Sequence, residues 1–537
     1  MAIDQNASSM TPHAARPEEL VSSEPGHALV HDFLTTSAAR LPDKVALVCG
    51  GRRLTYGELE GRANRVAEAL RSRGIHRGDR VVLCLGNSVD LIVGIFGVLK
   101  AGGTFVVVNA NTKQERLAYI ANDCGADALF LEGRSAARGL GAALSKDVPS
   151  LRFLVTCGGP HVPPHGDRQG LSIEVLMAEA TATPPTREDE APEMACLIYT
   201  SGTTGEPKGV ICDHSNIVFV AGSICQYLES SEADVVLNVL PLSFTYGLYQ
   251  LFTTFRVGAT LVLENSFAYP ASVLQQMERE QVTAFAGVPT IFAMLLRMDL
   301  TAFDLSALRY LTNAAAPLSP DQVLEIHRRF PKAKFYSMYG QTETARSLFL
   351  PPRLLEQKPG SVGMAIPGTE NWVESESGGR LGPGEVGELV VRGRHVMRGY
   401  WGDEPATAAR FRPGSSLGER IFHTGDLFRT DADGCFYFVS RKDDIIKTRG
   451  EKVAPKEVEN VLCRLKGIVA AAVVGVPDPI LGQAIKAVVL TDAPLTAEQV
   501  LAHCRAHLEE FMVPRHVEFR DSLPMTETGK IKKSELI

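Results

Sequence analysis

Short apolar runs alternate with segments of helical periodicity along most of this chain, from about Val45 onward. The clearest helix follows Thr55, because Thr55 and Glu58 have the spacing of a capping box and Gly74 is a residue that ends helices readily. Its predicted buried face consists of Leu59, Ala63, Val66, Ala67 and Leu70. Helix followed by buried strand then recurs, which predicts an α/β fold with mostly parallel sheets.

The most apolar stretch, residues 91–108, has the length of a membrane span but not its character. Lys100 lies inside it, and Gly102 and Gly103 interrupt it at its middle. A buried helix followed by a buried strand accounts for the stretch better. We therefore expect no membrane span.

The pattern divides the chain into a polar tail and two domains. Residues 1–27 lack the apolar stretch of a secretory signal and are predicted to form a disordered tail. Residues 28–440 are predicted to form a large domain of several subdomains, to which the glycine-rich residues 374–393 add a turn-linked β segment. Residues 441–537 are predicted to form a small α+β domain in the order helix, strand, strand, helix, strand.

Composition and charge narrow the function without defining it. The chain has 537 residues, 45% hydrophobic and 22% charged, as expected of a globular protein with at least two domains. Its net charge of -7 gives no basic excess, so we expect no nucleic-acid-binding face. The ten cysteines include no C-x-x-C pair and no zinc-binding spacing, which is typical of reduced, mostly buried thiols in a cytoplasmic protein.

The segment YTSGTTGEPKGV, residues 199–210, has the composition of a phosphate-binding loop. A strand that ends in a glycine- and hydroxyl-rich loop and is followed by a helix points backbone N–H groups at an anion, and Lys208 adds a positive charge. A flexible surface turn has the same composition, so composition alone supports both interpretations. The spacing excludes the P-loop pattern, because Lys208 lies between Pro207 and Gly209.

The order of residues in this segment resembles the signature of the adenylate-forming superfamily, which comprises acyl- and aryl-CoA synthetases, adenylation domains of peptide synthetases, and luciferases. The resemblance implies that the segment holds the phosphates of ATP and that Lys208 neutralises their charge. The implied phosphate-binding residues are Thr200, Ser201, Gly202, Thr203, Thr204, Gly205 and Lys208. Other motifs of the same family follow in order.

A second segment, FYSMYGQTETA, is similar to the family's Y-G-x-T-E motif. The resemblance implies that Tyr339 stacks on adenine, that Thr342 contacts the phosphate region and that Glu343 helps to hold Mg2+. Gly340 belongs to the same set of ATP contacts. A carboxylate that binds a hard cation beside polyphosphate oxygens is reasonable chemistry for an enzyme that uses ATP.

Motifs around the domain boundary also match the family. IFHTGDLF resembles its T-G-D segment, in which Asp426 would accept hydrogen bonds from the ribose hydroxyls. The segment that begins SRKDD resembles the opening of the small domain, where Arg441 would also reach the ribose and Asp443 falls at the hinge. Lys447 and Gly450 would line the channel for a thiol in a second orientation of this mobile domain.

Two more segments complete the implied ATP site. LPMTETGKIKKSEL resembles the P-x-T-x-x-G-K motif, whose lysine, here Lys530, would bind the substrate carboxylate and the α-phosphate as charge develops. LTNAAAPLS corresponds to a turn beside adenine that is often glycine-rich in relatives and has alanines here. Its candidate adenine contacts are Asn313, Ala314 and Ala315.

The segment PLSFTYGLYQL corresponds to part of the acyl pocket of relatives. Amino-acid-activating relatives commonly have an aspartate just after the aromatic residue, whereas this chain has Thr245 after Phe244. A buried ammonium group without a carboxylate partner is unfavourable, so an α-amino acid substrate is disfavoured. Together with Tyr246 and Gly247, these residues favour an apolar cleft for a fatty or aryl acid, with ordinary core packing as the alternative.

Together the motifs imply an ATP-dependent carboxylate ligase that forms an acyl-adenylate and then an acyl thioester with CoA, with Lys208, Glu343 and Lys530 as catalytic residues. ATP, Mg2+, CoA and a small carboxylic acid are the implied ligands. The alternative is a stand-alone ligase that loads an acyl group, or with less support an aminoacyl group, onto the phosphopantetheine of a carrier protein supplied in trans. A luciferase-like oxidase and a catalytically silent scaffold are further alternatives, and retention of the charged motif residues argues against silence.

Overall fold

The computed structural model describes residues 29–158, 169–185, 194–201, 206–415, 419–449, 451–526 and 531–537. The predicted tail, residues 1–27, lies outside the described residues. The same holds for the predicted site residues Gly202, Thr203, Thr204, Gly205, Gly450 and Lys530, and for the side chain of Ser201. The roles of these residues therefore stay predictions.

The first part of the chain alternates helices and strands, as the hydrophobic pattern predicts. The capping box is present: the Thr55 hydroxyl accepts a hydrogen bond from Glu58 N, and the Glu58 carboxylate accepts one from Thr55 N. The elements are α1 (Asp32–Arg40), β1 (Val45–Cys49), β2 (Arg52–Thr55), α2 (Tyr56–Ser72), β3 (Arg80–Cys84), α3 (Val89–Lys100), β4 (Thr104–Val108), α4 (Gln114–Asp123), β5 (Ala128–Glu132), α5 (Gly133–Ala137), α6 (Leu140–Asp147), β6 (Phe153–Cys157), β7 (Gln169–Ser172) and α7 (Ile173–Ala178).

The middle of the chain continues the alternation and ends in two short strands. Its elements are β8 (Met194–Ser201), β9 (Pro207–Asp213), α8 (His214–Leu228), β10 (Val235–Asn238), α9 (Thr245–Val257), β11 (Thr260–Leu263), α10 (Pro270–Arg279), β12 (Ala284–Gly287), α11 (Pro289–Leu295), β13 (Tyr310–Asn313), α12 (Pro320–Arg329), β14 (Lys334–Tyr339), β15 (Leu348–Phe349) and β16 (Met364–Ala365), with a 3₁₀ helix at Pro352–Leu354. The apolar stretch 91–108 forms helix α3 and strand β4, as predicted.

One expectation about the phosphate segment is wrong, because no helix follows its loop directly. β8 and β9 form an antiparallel hairpin in which Thr200 lies opposite Lys208. Branched and apolar residues such as Val210 and Ile211 favour the extended chain as far as Asp213, and α8 begins only after that residue. The N-terminus of α8 is therefore a whole strand away from the loop, and its dipole does not serve an anion there.

The chain then forms a strand-rich region and a small terminal unit. The elements are β17 (Glu370–Glu374), β18 (Gly387–Arg392), β19 (Gly399–Tyr400), α13 (Glu404–Arg410), β20 (Phe411–Pro413), β21 (Arg420–Thr430), β22 (Phe436–Arg441), β23 (Ile446–Thr448), β24 (Glu451–Val453), α14 (Pro455–Leu462), β25 (Ile468–Asp478), β26 (Gly482–Thr491), α15 (Ala497–His507) and β27 (His516–Phe519), with 3₁₀ helices at Lys442–Asp444, Glu510–Met512 and Lys533–Glu535.

Two large sheets and the helices between them form the main core. One has the strand order β16-β15-β14-β13-β12-β10-β11-β1-β2, and the other has the order β19-β9-β8-β4-β3-β5-β6-β7. Antiparallel strands occur only toward their edges, whereas the interior strands pair in parallel. α2 packs on β1 and β2, α3 packs on β3 and β4, and the two helices pack together. α3 is apolar on all sides because it is buried between these layers.

A third, antiparallel sheet has the order β17-β18-β21-β20, with β22 beside β21, and it contains the predicted β segment. The terminal unit has the order β24-β23-β26-β25, with β27 parallel to β26. Its helices and strands follow the predicted order, preceded by the hairpin β23–β24 that the pattern did not indicate. The mixed α/β fold class is confirmed, and the predicted domain boundary near residue 440 stays a prediction.

Gly363 offers a test of the junction between the first and third sheets, since it pairs with Phe436. Its φ is +82°, and an added Cβ would overlap the Phe349 carbonyl oxygen, whereas Gly378, at φ +88°, has open space around its Cβ position. Gly378→Ala should cost roughly 1–2 kcal/mol for the left-handed backbone alone. Gly363→Ala should lower the thermal midpoint at least twice as far, and equal midpoints for the two variants would contradict the packing described.

Candidate active site

Lys208 is the first predicted site residue that the hairpin positions. It lies on β9 opposite Thr200, next to the loop, and its ammonium group is 2.9 Å from the Asp403 carboxylate. Asp403 caps α13 through a hydrogen bond from Ala406 N. The hydrogen bond from Lys208 is the main cause that lowers the pKa of Asp403. Lys208 is thus held at the edge of the loop by a carboxylate that an anionic ligand would have to replace.

Tyr400 connects Lys208 with Glu343. The Lys208 ammonium lies 5.7 Å from the centre of the Tyr400 ring, and the Tyr400 hydroxyl donates a 2.7 Å hydrogen bond to Glu343 Oε1. Strand β19 brings Tyr400 there by pairing with β9, where Tyr400 lies opposite Val210. Burial raises the pKa of the Tyr400 hydroxyl, and the neighbouring Glu343 carboxylate raises it further, so this hydroxyl remains a donor.

The turn that carries Glu343 depends on Gly340. An added Cβ at Gly340 would lie 2.5 Å from the Ala345 carbonyl oxygen and 2.8 Å from Arg346 Cα, because the chain doubles back there. Ala345 has a φ of +54°, the left-handed conformation that closes the turn. Within it, Thr342 is half-buried beside Glu343. A compact turn after β14 therefore presents the predicted metal ligand at the edge of the sheet.

Asp426 forms the other end of this cluster. It is 4% exposed and accepts hydrogen bonds of 2.7 Å from the Tyr339 hydroxyl and of 2.7 Å from Gln341 Nε2. Arg441 lies opposite it in the β21–β22 ladder, with Nε 3.6 Å from the second carboxylate oxygen. Tyr339 also packs edge-on against Phe428, with ring centres 4.9 Å apart. The two predicted ribose residues and the predicted adenine-stacking residue therefore meet.

The predicted adenine wall lies at the end of the neighbouring strand. Asn313 ends β13, and its amide donates a 3.1 Å hydrogen bond to the Ala316 carbonyl. Its Oδ1 atom is buried and has no hydrogen-bond partner within the part of the chain that the structure describes. Ala314 is buried, and Ala315 adopts a φ of +73°. Because β13 and β14 are parallel neighbours, this turn and Tyr339 share one edge of the sheet.

The predicted acyl segment adjoins this edge. Phe244 precedes α9 as its N-cap, and both Phe244 and Thr245 are half-buried. The Tyr246 hydroxyl donates a 2.9 Å hydrogen bond to the carbonyl of Thr312, which precedes Asn313. An added Cβ at Gly247 would overlap the Pro241 carbonyl oxygen, so the glycine serves close backbone packing.

The small unit contains the predicted hinge and thiol residues. Asp443 is exposed in the 3₁₀ helix after β22, and Lys447 is exposed on β23, with its backbone N donating a 2.7 Å hydrogen bond to Gln483. Next to β23 is a cavity of about 480 Å³ whose lining includes Arg449, Arg505 and Arg515. This cavity is basic and lies beside the predicted thiol channel.

Several of these residues were missed by the sequence reasoning. Tyr400 and Asp403 occur in the segment GYWGDEPAT, in which an aspartate before Glu-Pro is a helix-start signal and nothing indicates contact with Lys208. Gln341 occupies the variable position of the Y-G-x-T-E motif, so the motif itself implies no role for it. The cavity arginines are spread over 67 positions from Arg449 to Arg515, counting both ends, and have no sequence spacing that links them.

Comparison with known proteins identifies the family. Residues 34–401 match the AMP-binding enzyme family, and residues 457–530 match the AMP-binding enzyme C-terminal domain. A feruloyl-CoA synthase from an Amycolatopsis species is 33% identical over 508 residues, covering 92% of this chain and 96% of that protein. A long-chain-fatty-acid–CoA ligase from Bacillus subtilis is 31% identical over 537 residues, which cover 95% of this chain and 94% of that protein.

Solved structures agree with this assignment. An anthranilate CoA ligase in complex with anthranoyl-AMP superposes with a TM-score of 0.87 at 27% identity, covering 97% of this chain and 98% of that chain. ATP-bound MatB from Rhodopseudomonas palustris superposes with a TM-score of 0.84 at 30% identity, covering 95% of this chain and 98% of that chain. Among the described residues, none of the helices combines the length and the apolar character needed to cross a bilayer.

The chain therefore belongs to the AMP-binding enzyme family. It is an AMP-forming acid–thiol ligase, which uses ATP to convert a carboxylic acid into an acyl-adenylate and then into a thioester of CoA. The individual roles of the site residues stay predictions.

Tyr400→Phe tests the link between Lys208 and Glu343, since it removes one hydroxyl and keeps the ring. A hydrogen bond to a charged group contributes about 1.5–3 kcal/mol, so kcat/KM for ATP-dependent adenylate formation should fall about 10- to 100-fold. Pyrophosphate exchange measures this step. The control is Tyr437→Phe, which removes a 3.0 Å hydrogen bond to Asp431 outside the site and should have no effect on exchange. Unchanged exchange in Tyr400→Phe would contradict the link.

Proposed function

We propose that this enzyme activates an aryl or aliphatic carboxylic acid through a Mg2+–ATP complex held between Lys208 and Arg441. The observation that carries the proposal is that one turn after β14 joins two sets of contacts, from Lys208 through Tyr400 to Glu343 and from Gln341 to Asp426. Their order matches the order of groups in ATP, with cationic Lys208 at the phosphate end and the acceptor Asp426 at the ribose end. Feruloyl-CoA synthase and indoleacetate–CoA ligase, the latter 31% identical, act on aryl acids.

The phosphate end has the chemistry that a triphosphate needs. Thr200 and Ser201 end β8, the glycine- and threonine-rich loop follows, and Lys208 begins the return strand. Backbone N–H groups and hydroxyls supply neutral donors, whereas Lys208 supplies charge. Binding exchanges the Asp403 partner of Lys208 for phosphate oxygens, which limits the desolvation that binding requires.

Glu343 is the residue that would hold Mg2+. Magnesium is commonly bound in such sites by one or two carboxylates, the substrate phosphates and water, and it neutralises the developing charge on the phosphates. The residues present fit this ion. Glu343 is half-buried, and Tyr400 lies between it and Lys208. The Tyr400 hydroxyl bonds to Oε1 of Glu343, which leaves the second carboxylate oxygen for the ion. The described ranges contain no cluster of three or more metal-ligating side chains, so Glu343 would hold the ion together with the phosphates and water.

At the nucleoside end, Asp426 and Arg441 would hold the ribose, and Tyr339 with the turn from Asn313 to Ala315 would enclose the adenine. The buried Oδ1 of Asn313 is an acceptor that matches an amino group such as the one on adenine. Lys530 would enter from the small domain and stabilise charge between the carboxylate and the α-phosphate. The domain would then turn about Asp443, which brings Lys447 and Gly450 to the thiol.

The basic cavity of the small domain favours CoA over a carrier protein as the acceptor. CoA carries three phosphate groups, and clustered arginines bind phosphates in a forked, charge-assisted geometry. Arg449 and Arg515 are paired with Glu510 and Asp478 at 3.3 and 3.1 Å, while Arg505 is exposed at the end of α15. A carrier protein in trans remains the alternative acceptor, and we assign no role to nucleic acid.

Two further features support the proposed class of acid and a cytoplasmic location. Thr245 cannot balance the charge of an α-ammonium group, so an amino acid is disfavoured. All ten cysteines are free thiols, which suits a cytoplasmic enzyme.

An acid panel with CoA and mass detection of products tests this function. Aryl acids such as ferulate and indoleacetate and aliphatic acids of several lengths, each with and without a second carboxylate, should include at least one that yields AMP, pyrophosphate and an acyl-CoA. The α-amino acids should yield neither exchange nor product. A panel without any acyl-CoA, or with an amino acid as the best substrate, would contradict the proposal.

Arg505→Gln tests the cavity as the binding site for the phosphates of CoA. Loss of one charge-assisted contact should raise KM for CoA roughly tenfold. KM for ATP, and KM for pantetheine, which lacks the nucleotide, should stay at wild-type values. Arg464→Gln is the control, because Arg464 is exposed in the same domain and does not line the cavity. Equal changes with CoA and pantetheine would contradict the assignment.

A further inference from the structure

Arg346 is a buried arginine that the proposed reaction does not use. It lies three residues after Glu343, and its side chain is directed inward by the tight turn that packs on Gly340. The residue is 3% exposed. Arginine is almost never buried to this degree without a partner, so its surroundings decide its role.

The surroundings of Arg346 are aromatic and lack a counter-charge. Its guanidinium carbon lies 5.1 Å from the centre of the Tyr246 ring. Burial raises the pKa of the Tyr227 hydroxyl to about 12, while the charge of Arg346 and a hydrogen bond from it act to lower that pKa. Its Nε atom is buried without a hydrogen-bond partner in the described part of the chain. The Tyr249 hydroxyl, whose pKa the charge of Arg346 lowers against the larger effect of burial, also has no partner there.

Two other buried charges among the described residues are each paired with an opposite charge. Lys100 lies 2.7 Å from Glu60, and Asp426 lies 3.6 Å from Arg441. Among the residues that the structure describes, no aspartate or glutamate forms an ion pair with Arg346. A ring face compensates only part of the solvation that a guanidinium loses on burial. Within the described residues the guanidinium of Arg346 therefore lacks a counter-charge, and an oxygen-bearing anion on a ligand would supply one.

The position of Arg346 indicates which ligand supplies that anion. Its ring contact, Tyr246, belongs to the proposed acyl segment, whereas Lys208 and Tyr400 lie at the triphosphate end. Tyr227, on which the charge of Arg346 also acts, stacks on Phe349 with ring centres 4.2 Å apart, which adds a second aromatic contact region next to Arg346. The charge of the reacting carboxylate is lost when the adenylate forms. A second carboxylate keeps its charge throughout and matches a fixed, buried cation.

We propose that Arg346 binds a second carboxylate on the acyl or aryl portion of the acid, with the Tyr249 hydroxyl as a further donor, so that the enzyme favours dicarboxylic acids. This inference rests on the proposed function of the segment from Phe244 to Gly247 as the acyl pocket. Arginine suits the task because its planar fork donates two parallel hydrogen bonds to a carboxylate. Arg346 is in this assignment a specificity-determining residue.

Matched acid pairs test the inference on the wild-type enzyme. Each pair combines a monocarboxylic acid with its carboxylated counterpart of equal length, such as hexanoic with hexanedioic acid and benzoic with its three dicarboxylic isomers. A site that binds a polar group specifically rejects analogues without it strongly, so we expect kcat/KM for acyl-CoA formation to be at least about tenfold higher for the diacid in the best-fitting pair. Preference for the monoacid in every pair would overturn the inference.

Arg346→Met and Arg346→Lys separate specificity from general catalysis. Arg346→Met should lower kcat/KM for the preferred diacid roughly 100-fold and change it less than about threefold for the matched monoacid, while Arg346→Lys should retain part of the diacid activity. Replacement of a buried charge by an apolar side chain of similar volume is often neutral for stability, and thermal melting confirms folding. An equal loss for both acids would assign Arg346 to the reacting carboxylate and overturn the inference.

A control and a binding measurement complete the test. Arg380→Met removes an arginine that also lies over a ring, 4.2 Å from Trp372, but outside the site, and it should leave the preference unchanged. Calorimetric titration of the wild-type enzyme and the Arg346 variants with the same acids measures binding affinity independently of turnover. Turnover of monoacids alone overturns the inference and leaves the proposed function intact. Diacid binding that depends on Arg346, without turnover of any acid, contradicts the proposed function instead.

Discussion

The hydrogen bond from Tyr400 to Glu343 is the contact on which the arrangement of the site depends. Tyr400 belongs to the edge strand of the eight-stranded sheet, while Glu343 follows β14, the third strand from one edge of the nine-stranded sheet. One tyrosine hydroxyl thus links the two sheets at the place where the predicted phosphate hairpin approaches the turn after β14. The Tyr400 ring also faces Lys208, so the same residue lies between the Lys208 ammonium group and the Glu343 carboxylate.

Charge pairing explains how such a site stays folded without its nucleotide. Lys208 has Asp403, Asp426 has Arg441, and the carboxylate of Glu343 has a tyrosine hydroxyl. Each charged group therefore has a partner that a ligand can replace, and binding becomes an exchange of partners rather than the burial of bare charges. In the proposed ATP site, specificity for the nucleotide would then come from the order of these partners.

The sequence predicted the fold class, which is confirmed, and it proposed most of the charged site residues, whose roles stay predictions. Both inferences came from short segments of the chain. Capping, periodicity and motif order are contained within short windows, and they were sufficient for the helix after Thr55 and for the motif around Glu343. Contacts between distant segments were not predictable in this way. Strand pairing brings Tyr400 to Glu343, and packing of the terminal unit brings the three arginines to one cavity. The expected helix after the phosphate loop failed for the same reason, since pairing with β8 keeps residues up to Asp213 extended.

The close packing of Gly340 against Ala345 and Arg346 limits how this enzyme can evolve. A turn without room for a methyl group tolerates neither insertion nor deletion, so every descendant must keep the spacing from Gly340 to Arg346. Side chains that point away from the packed backbone remain free to change one at a time. A substitution of the Arg346 side chain leaves the length of this turn unchanged, so in the proposed acyl pocket the acid preference can change while the turn keeps Glu343 in place.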